Sequence, residues 1–255
     1  MAYRRGGTLI TFNASYFPAR LFFHLALTLV RLVDRLLFRL RIEGRNNLEQ
    51  LDSALLVSNH TLVLDPGILA HAIRPRRTYF TMLEETACIP FLGTFVRLLG
   101  AVPIPARAAS MRILERAIRT ELQDLPFVHV FPEGECYLWN QQIEAFQQGA
   151  FFLACRLGLP VVPLTTVLHK RSVLGRECFC LAGRCVRVPP RVTVVIGTPV
   201  SPGKGVSVKQ EALHLSREIR MLMQRTIDER RGSKSLYRGR MKRLAPRHIQ
   251  AGAAI

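Results

Sequence analysis

Two kinds of apolar pattern alternate along most of the chain. A short apolar run occupies residues 54–57, mostly apolar runs occupy residues 78–82, 127–131 and 161–167, and a valine-rich run occupies residues 191–196. Runs of this length bounded by turn residues read as strands buried on both faces. Residues 91–99, 111–122, 146–157 and 207–227 instead repeat their apolar positions every three to four residues, as helices with one buried face do. Punctuation agrees with this division. Asp65-Pro66 predicts a helix start, with Asp65 as N-cap and Pro66 at the first helical position. Pro126 ends one helical stretch and Gly158 stops another. Residues 38–43 alternate like a strand, and residues 44–47 turn. Strand, helix and strand recur, which predicts a single α/β domain with a largely parallel or mixed sheet flanked by helices.

The two ends differ from this body. Residues 21–40 are apolar, but Arg31, Asp34 and Arg35 interrupt them. The uninterrupted part, residues 21–30, is about half of what a bilayer-spanning helix needs. Leu29, Val30, Val33, Leu36 and Leu37 keep helical spacing with the charges largely on the other side, which predicts an amphipathic helix lying in a membrane interface. The last stretch carries Arg230, Arg231, Lys234, Arg238, Arg240, Lys242, Arg243 and Arg247 without an apolar period, and reads as a mobile basic tail. The expected organisation is therefore a membrane-associating segment over residues 1–40, a catalytic domain over residues 41–228 and a basic tail over residues 229–255.

Charge sharpens the expected partner. The chain has 36 Lys and Arg against 18 Asp and Glu, a net charge of +18, yet 49% of its residues are hydrophobic. A basic surface seeks an anionic partner. Basic and apolar together point to an anionic phospholipid surface and not to nucleic acid, whose binding motifs are missing from the sequence. A peripheral or monotopic position on the cytoplasmic face of a membrane is expected. The six cysteines (Cys88, Cys136, Cys155, Cys178, Cys180 and Cys185) show no CxxC spacing, so free thiols in a reducing compartment and no metal are expected, with Cys178 and Cys180 as core.

Candidate chemistry sits where strands end. Asn59-His60-Thr61-Leu62-Val63-Leu64-Asp65 follows the run at residues 54–57. α/β proteins place ligands at that edge of the sheet. A carboxylate five residues after a histidine can fold back onto the imidazole, set its tautomer and stabilise the imidazolium formed on proton uptake. Phe131-Pro132-Glu133-Gly134 follows the run at residues 127–131, with Glu133 ionisable and Gly134 free to turn amides toward a ligand. Residues 100–107 form a stiff Pro-containing segment ending in Arg107, a residue suited to bidentate anion binding. Leu159-Pro160-Val161-Val162-Pro163-Leu164 opens a further strand.

In this order the blocks resemble the glycerolipid acyltransferase family that includes 1-acylglycerol-3-phosphate acyltransferase. That family shows NHxxxxD, a glycine-to-arginine block, FPEG and an apolar VPx block, matched here by Asn59 to Asp65, Gly100 to Arg107, Phe131 to Gly134, and Val162-Pro163-Leu164. Phe146-Gln147-Gln148-Gly149-Ala150 resembles its F-x-x-G-A helix start, and the likeness covers roughly residues 40–200. The resemblance implies transfer of a fatty acyl group from acyl-CoA or acyl carrier protein to a hydroxyl of a lysophospholipid or glycerol-phosphate acceptor, with no metal or organic cofactor. It implies His60 as general base, Asp65 as its orienting partner, and Arg107, Glu133 and Gly134 around the substrates. The chain departs from the family after Gly134. Glu135, Cys136 and Tyr137 stand where the family often has a hydroxyl residue, an arginine and a serine, and Ala106 stands where an acid often precedes the arginine. Two other readings fit parts of the pattern: a lipid hydrolase with Cys136 as nucleophile and His60 or His129 as base, and a basic peripheral membrane protein without turnover.

Overall fold

The computed structural model describes residues 28, 31–32, 34–83, 101–104, 115–116, 118–119, 126–181, 184–203 and 207–241. The helix expected at residues 91–99, most of that at 111–122, Arg107, most of the segment 1–40 and the tail beyond residue 241 lie outside the described residues.

The apolar runs become strands of one seven-stranded sheet, in the order β1-β9-β6-β2-β5-β3-β4. These are β1 (Arg41–Glu43), β2 (Ala54–Ser58), β3 (Thr78–Leu83), β4 (Ala101–Ile104), β5 (Phe127–Val130), β6 (Val161–His169) and β9 (Arg191–Ile196). Every pair is parallel except β6 with β9, so the sheet is mixed. Strands β7 (Cys178–Leu181) and β8 (Arg184–Arg187) form a separate antiparallel hairpin. Cys178, expected in the core, is exposed there.

All of β2 and β5 are buried, because helices cover both faces of the sheet. On one face Leu56, Leu164 and Val194 pack with Ile68, Leu69 and Ala72 of α1 (Asp65–Ala72). On the other, Leu55, Val57 and Val128 pack with α2 (Gly149–Leu157) and α3 (Val208–Glu229). Alternate residues of β2 thus serve opposite cores, as the two-residue period of a strand requires. Helix α3 forms where the period predicted it. Ser207 accepts the Gln210 amide at its start, and Ala212, Leu215, Ile219, Met223 and Ile227 make its buried stripe. Each of the Leu, Ile and Met side chains in it contributes roughly 1.5–3 kcal/mol of transfer free energy when fully buried.

Two boundaries differ from the sequence pattern. Residues 34–38 form a π-helical turn, followed by a bond from Leu40 N–H to the Asp34 carbonyl (3.2 Å), and the strand expected over residues 38–43 is confined to Arg41–Glu43. The turn expected at residues 44–47 is present and opens at residue 44, whose φ is +78° and where a Cβ would lie 2.1 Å from the Ile196 carbonyl oxygen, so only glycine fits. The expectation of a mobile tail is corrected for residues 230–241, which lie against the body. There Leu236 is buried, and Ser233, Arg238 and Met241 donate their N–H groups to the carbonyls of Leu168, Leu138 and Cys136. Among the described residues no helix is long and apolar enough to cross a membrane.

Candidate active site

Strands β2 and β5 are parallel neighbours with Val57 opposite Val130. Both chains therefore leave the sheet at the same edge, and Asn59-His60 and Pro132-Glu133 emerge side by side. This is the edge at which α/β sheets bind ligands. His60 and Glu133 are 73 residues apart in sequence, and the parallel register brings them together. His60 N–H donates to the Glu133 carboxyl (3.3 Å) across that edge.

Asp65 closes the loop that follows β2. It is fully buried, and its Oδ2 accepts from His60 Nδ1 (3.0 Å), Thr61 N–H (2.7 Å) and Leu62 N–H (2.7 Å). An oxygen that already takes two amide donors acts as an acceptor toward the ring. The hydrogen-bond network thus assigns the proton to Nδ1 and leaves the Nε2 lone pair free. The His60 ring stacks on Phe131 with centroids 4.0 Å apart, and its side chain is 20% exposed. A packed, oriented imidazole with one open nitrogen is what a general base needs. The expected capping role of Asp65 is corrected. The N-cap of α1 is Leu64, without a side-chain cap, and Asp65 serves the loop amides before the helix because its carboxylate turns back toward His60.

The second motif surrounds this pair. Glu133 is buried, and burial pushes its carboxyl up to about 8, against the hydrogen bonds from the His60 and Glu144 amides that favour its anion. Neutral Glu133 therefore sits beside His60 without adding charge. Gly134 turns at φ +70°, and its amide donates to the Phe131 carbonyl (3.1 Å), so that N–H is spent inside the turn and does not face a ligand. Beneath the site His129 is fully buried, with its Nε2 2.8 Å from the Ser58 hydroxyl. Burial, and secondarily the charge of His60, lower it to about 3, so it stays neutral and is no base at ordinary pH. Cys136 is buried too, and burial first, with the nearby Asp65 carboxylate, pushes its thiol up to about 12. A buried thiol whose ionisation is disfavoured is a poor nucleophile, which counts against the hydrolase reading.

Several contacts that hold the site carried no signal in the sequence, although Asn59 itself opens the first motif. The Asn59 side chain pairs both ways with the backbone of Thr166, donating at 3.0 Å and accepting at 2.8 Å, and so clamps the end of β2 to β6. Buried Gln141 accepts from Leu168 N–H (2.8 Å) and fixes the loop after Glu133. That loop in turn holds the motif backbone: Tyr137 N–H donates to the His60 carbonyl (2.9 Å), and Trp139 N–H to that of Thr61 (2.8 Å).

An acyltransferase family model matches residues 39–167, half of the chain, and spans His60, Asp65, Glu133 and Gly134. The chain belongs to the acyltransferase family. Among curated proteins it is 30% identical over 173 residues to a 1-acyl-sn-glycerol-3-phosphate acyltransferase of Chlamydomonas reinhardtii, covering 66% of this chain and 48% of that protein. It is 27% identical over 175 residues to the 1-acyl-sn-glycerol-3-phosphate acyltransferase of Saccharomyces cerevisiae, covering 65% and 55%. The chain thus spans about half the length of these relatives. Its fold is similar to the crystal structure of the 1-acyl-sn-glycerophosphate (LPA) acyltransferase of Thermotoga maritima, with a TM-score of 0.60 over 87% of this chain and 84% of that one, at 21% identity. Family and fold agree with the expectation read from the ordered motifs.

Proposed function

We propose that the protein transfers a fatty acyl group from a thioester donor, acyl-CoA or acyl carrier protein, to the free hydroxyl of a lysophosphatidate-type acceptor. The observation that carries this reading is the His60–Asp65 pair, with Nδ1 held by a buried carboxylate and Nε2 open at the sheet edge. Nε2 takes the hydroxyl proton as the oxygen attacks the thioester carbonyl. The new C–O bond forms, the C–S bond breaks, and the imidazolium returns the proton to the departing thiolate. Asp65 stabilises the imidazolium in between. Glu133 is a positioning residue that holds the His60 backbone, and Arg107 binds an anionic group of a substrate. No step calls for a metal or organic cofactor.

The relatives are named for acylating 1-acyl-sn-glycerol-3-phosphate, which supports the acceptor. Apolar side chains open to solvent support work at an anionic phospholipid membrane: Leu32 is 53% exposed, Leu36 63%, and Val63, inside the His60–Asp65 loop, 63%. Co-sedimentation with anionic vesicles at low salt checks that association, and a protein left wholly in the supernatant refutes it. The reaction is tested by supplying radiolabelled acyl-CoA, or acyl carrier protein, with lysophosphatidate. Labelled diacyl product is expected from the wild type and not from a folded His60→Ala variant. No product with either donor, or equal product from both proteins, overturns the reading.

A further inference from the structure

Cys178, Cys180 and Cys185 all fall in the β7–β8 hairpin, which stands apart from the seven-stranded sheet. The ladder register makes Cys180 and Cys185 direct Cα partners, with Phe179 opposite Val186 and Leu181 opposite Arg184. Just outside the ladder, Val188 N–H donates to the Glu177 carbonyl (2.9 Å), so residues 177 and 188 are a hydrogen-bonded pair. Bonded and open pairs alternate along an antiparallel ladder. Counting inward, Cys178 with Arg187 is open, Phe179 with Val186 is bonded, and Cys180 with Cys185 is open. The Cα atoms of an open pair lie about 4.5 Å apart, closer than those of a bonded pair. A disulfide spans roughly 4.4–6.8 Å between Cα atoms. The backbone therefore sets these two cysteines at a separation that a sulfur–sulfur bond can close without moving either strand.

The place of the hairpin makes such a bond local and open to reagents. Strand β6 ends and β9 begins at a paired position, His169 opposite Arg191, and the hairpin lies between them in sequence. A link from Cys180 to Cys185 closes residues 181–184 alone and ties down no strand of the main sheet. Cys178 and Arg187, the next open pair outward, are exposed, so small solutes reach this stretch of the ladder. A two-stranded hairpin by itself is marginally stable in water, and a covalent bond between its strands holds the register.

We propose that Cys180 and Cys185 are a reversible dithiol–disulfide pair, oxidised across the hairpin by a low-molecular-weight disulfide such as oxidised glutathione. One cysteine thiolate attacks a sulfur of the small disulfide, forms a mixed disulfide and releases one small thiol. The other cysteine then attacks the protein-bound sulfur and releases the second small thiol. Two electrons and two protons pass from the protein to the oxidant, and an excess of reduced thiol runs the exchange backwards. The full chain is equilibrated with set ratios of reduced to oxidised glutathione, quenched in acid, alkylated and digested without reduction. Trypsin cuts after Arg176, Arg184 and Arg187, and so leaves Cys180 in peptide 177–184 and Cys185 in peptide 185–187. Mass spectrometry should find the two joined and lighter by two hydrogens. Because the fold sets the pair in place, the exchange constant should be at least about tenfold larger for the native chain than for the chain in urea. Cys178→Ser should keep the native constant, and Cys180→Ser should lower it by about tenfold or more. Thermal melting establishes that each variant is folded, and the comparison of native with denatured wild type needs no variant. No joined peptide from the native chain, equal constants in the native and denatured chain, loss of the link in folded Cys178→Ser, or an unchanged constant in folded Cys180→Ser overturns the pair. None of these readouts needs turnover, so a failed transfer assay counts against the proposed reaction and leaves the pair standing.

Discussion

Asp65→Asn separates what the carboxylate does for the loop from what it does for the histidine. Read as a helix cap, Asp65 would tolerate Asn with little change in stability, since the two cap about equally well. Its actual surroundings predict otherwise. Oδ2 accepts three donors, and Oδ1 is buried without a partner. An Asn oxygen can keep the Thr61 and Leu62 amides, but its NH2 then occupies the Oδ1 position, where a buried donor without an acceptor costs about 1–3 kcal/mol. The three charge-assisted hydrogen bonds also weaken to neutral ones, offset by no longer burying a charge. The net loss is about 2 kcal/mol, or about 4–8 °C in Tm for a chain of this size. Turnover should fall further than that, by roughly two orders of magnitude or more, because Asn neither stabilises the imidazolium nor fixes the tautomer. KM values should move little. The assays are thermal melting and initial rates of acyl transfer on the same preparation, at a temperature where both proteins are fully folded. Wild-type turnover in folded Asp65→Asn would falsify the dyad. An unchanged Tm would show that the carboxylate does not organise the loop.

Glu133→Gln tests the neutral acid. A carboxyl held at about 8 in the folded protein, against about 4.5 ordinarily, keeps its proton longer when folded. Its contribution to stability is complete below pH 4.5 and is lost as pH rises toward 8, by an amount on the order of a few kcal/mol. Denaturant midpoints of wild type and Glu133→Gln should therefore lie close together at pH 5 and diverge by pH 8.5, with the variant more stable; parallel midpoints across the range would place the charged carboxylate in the folded state. Cys136→Ala should retain turnover and cost about 1 kcal/mol or less in stability, and the wild-type thiol should resist iodoacetamide at pH 7.5 in the native state. An acyl group trapped on Cys136 after incubation with donor alone would reverse that conclusion.

Local physics was legible in the sequence wherever one segment carries its own signal. The mostly apolar runs of β2, β5 and β6 mark strands buried on both faces, because no other short element hides nearly every side chain. The 3.6-residue stripe of α3, and Gly158 at φ +66° after α2, mark helices in the same way. His60 and Asp65 are five residues apart, so their pairing needs only one turn of backbone, and the motif announces it. Tertiary structure alone decided what depends on two distant segments meeting. The register Val57 opposite Val130 carries His60 to Glu133, and no period within either strand encodes which strand lies beside it. Burial then changes the chemistry of residue types read from sequence at their ordinary values: it keeps Glu133 neutral, His129 uncharged and Cys136 a thiol, because removing water penalises the charged form of each. The Asn59 clamp on Thr166 and the antiparallel bridge of Arg240 with Tyr137 were invisible for the same reason. Polar side chains and basic tails look alike in sequence whether they face water or a backbone, and only the folded neighbour distinguishes them.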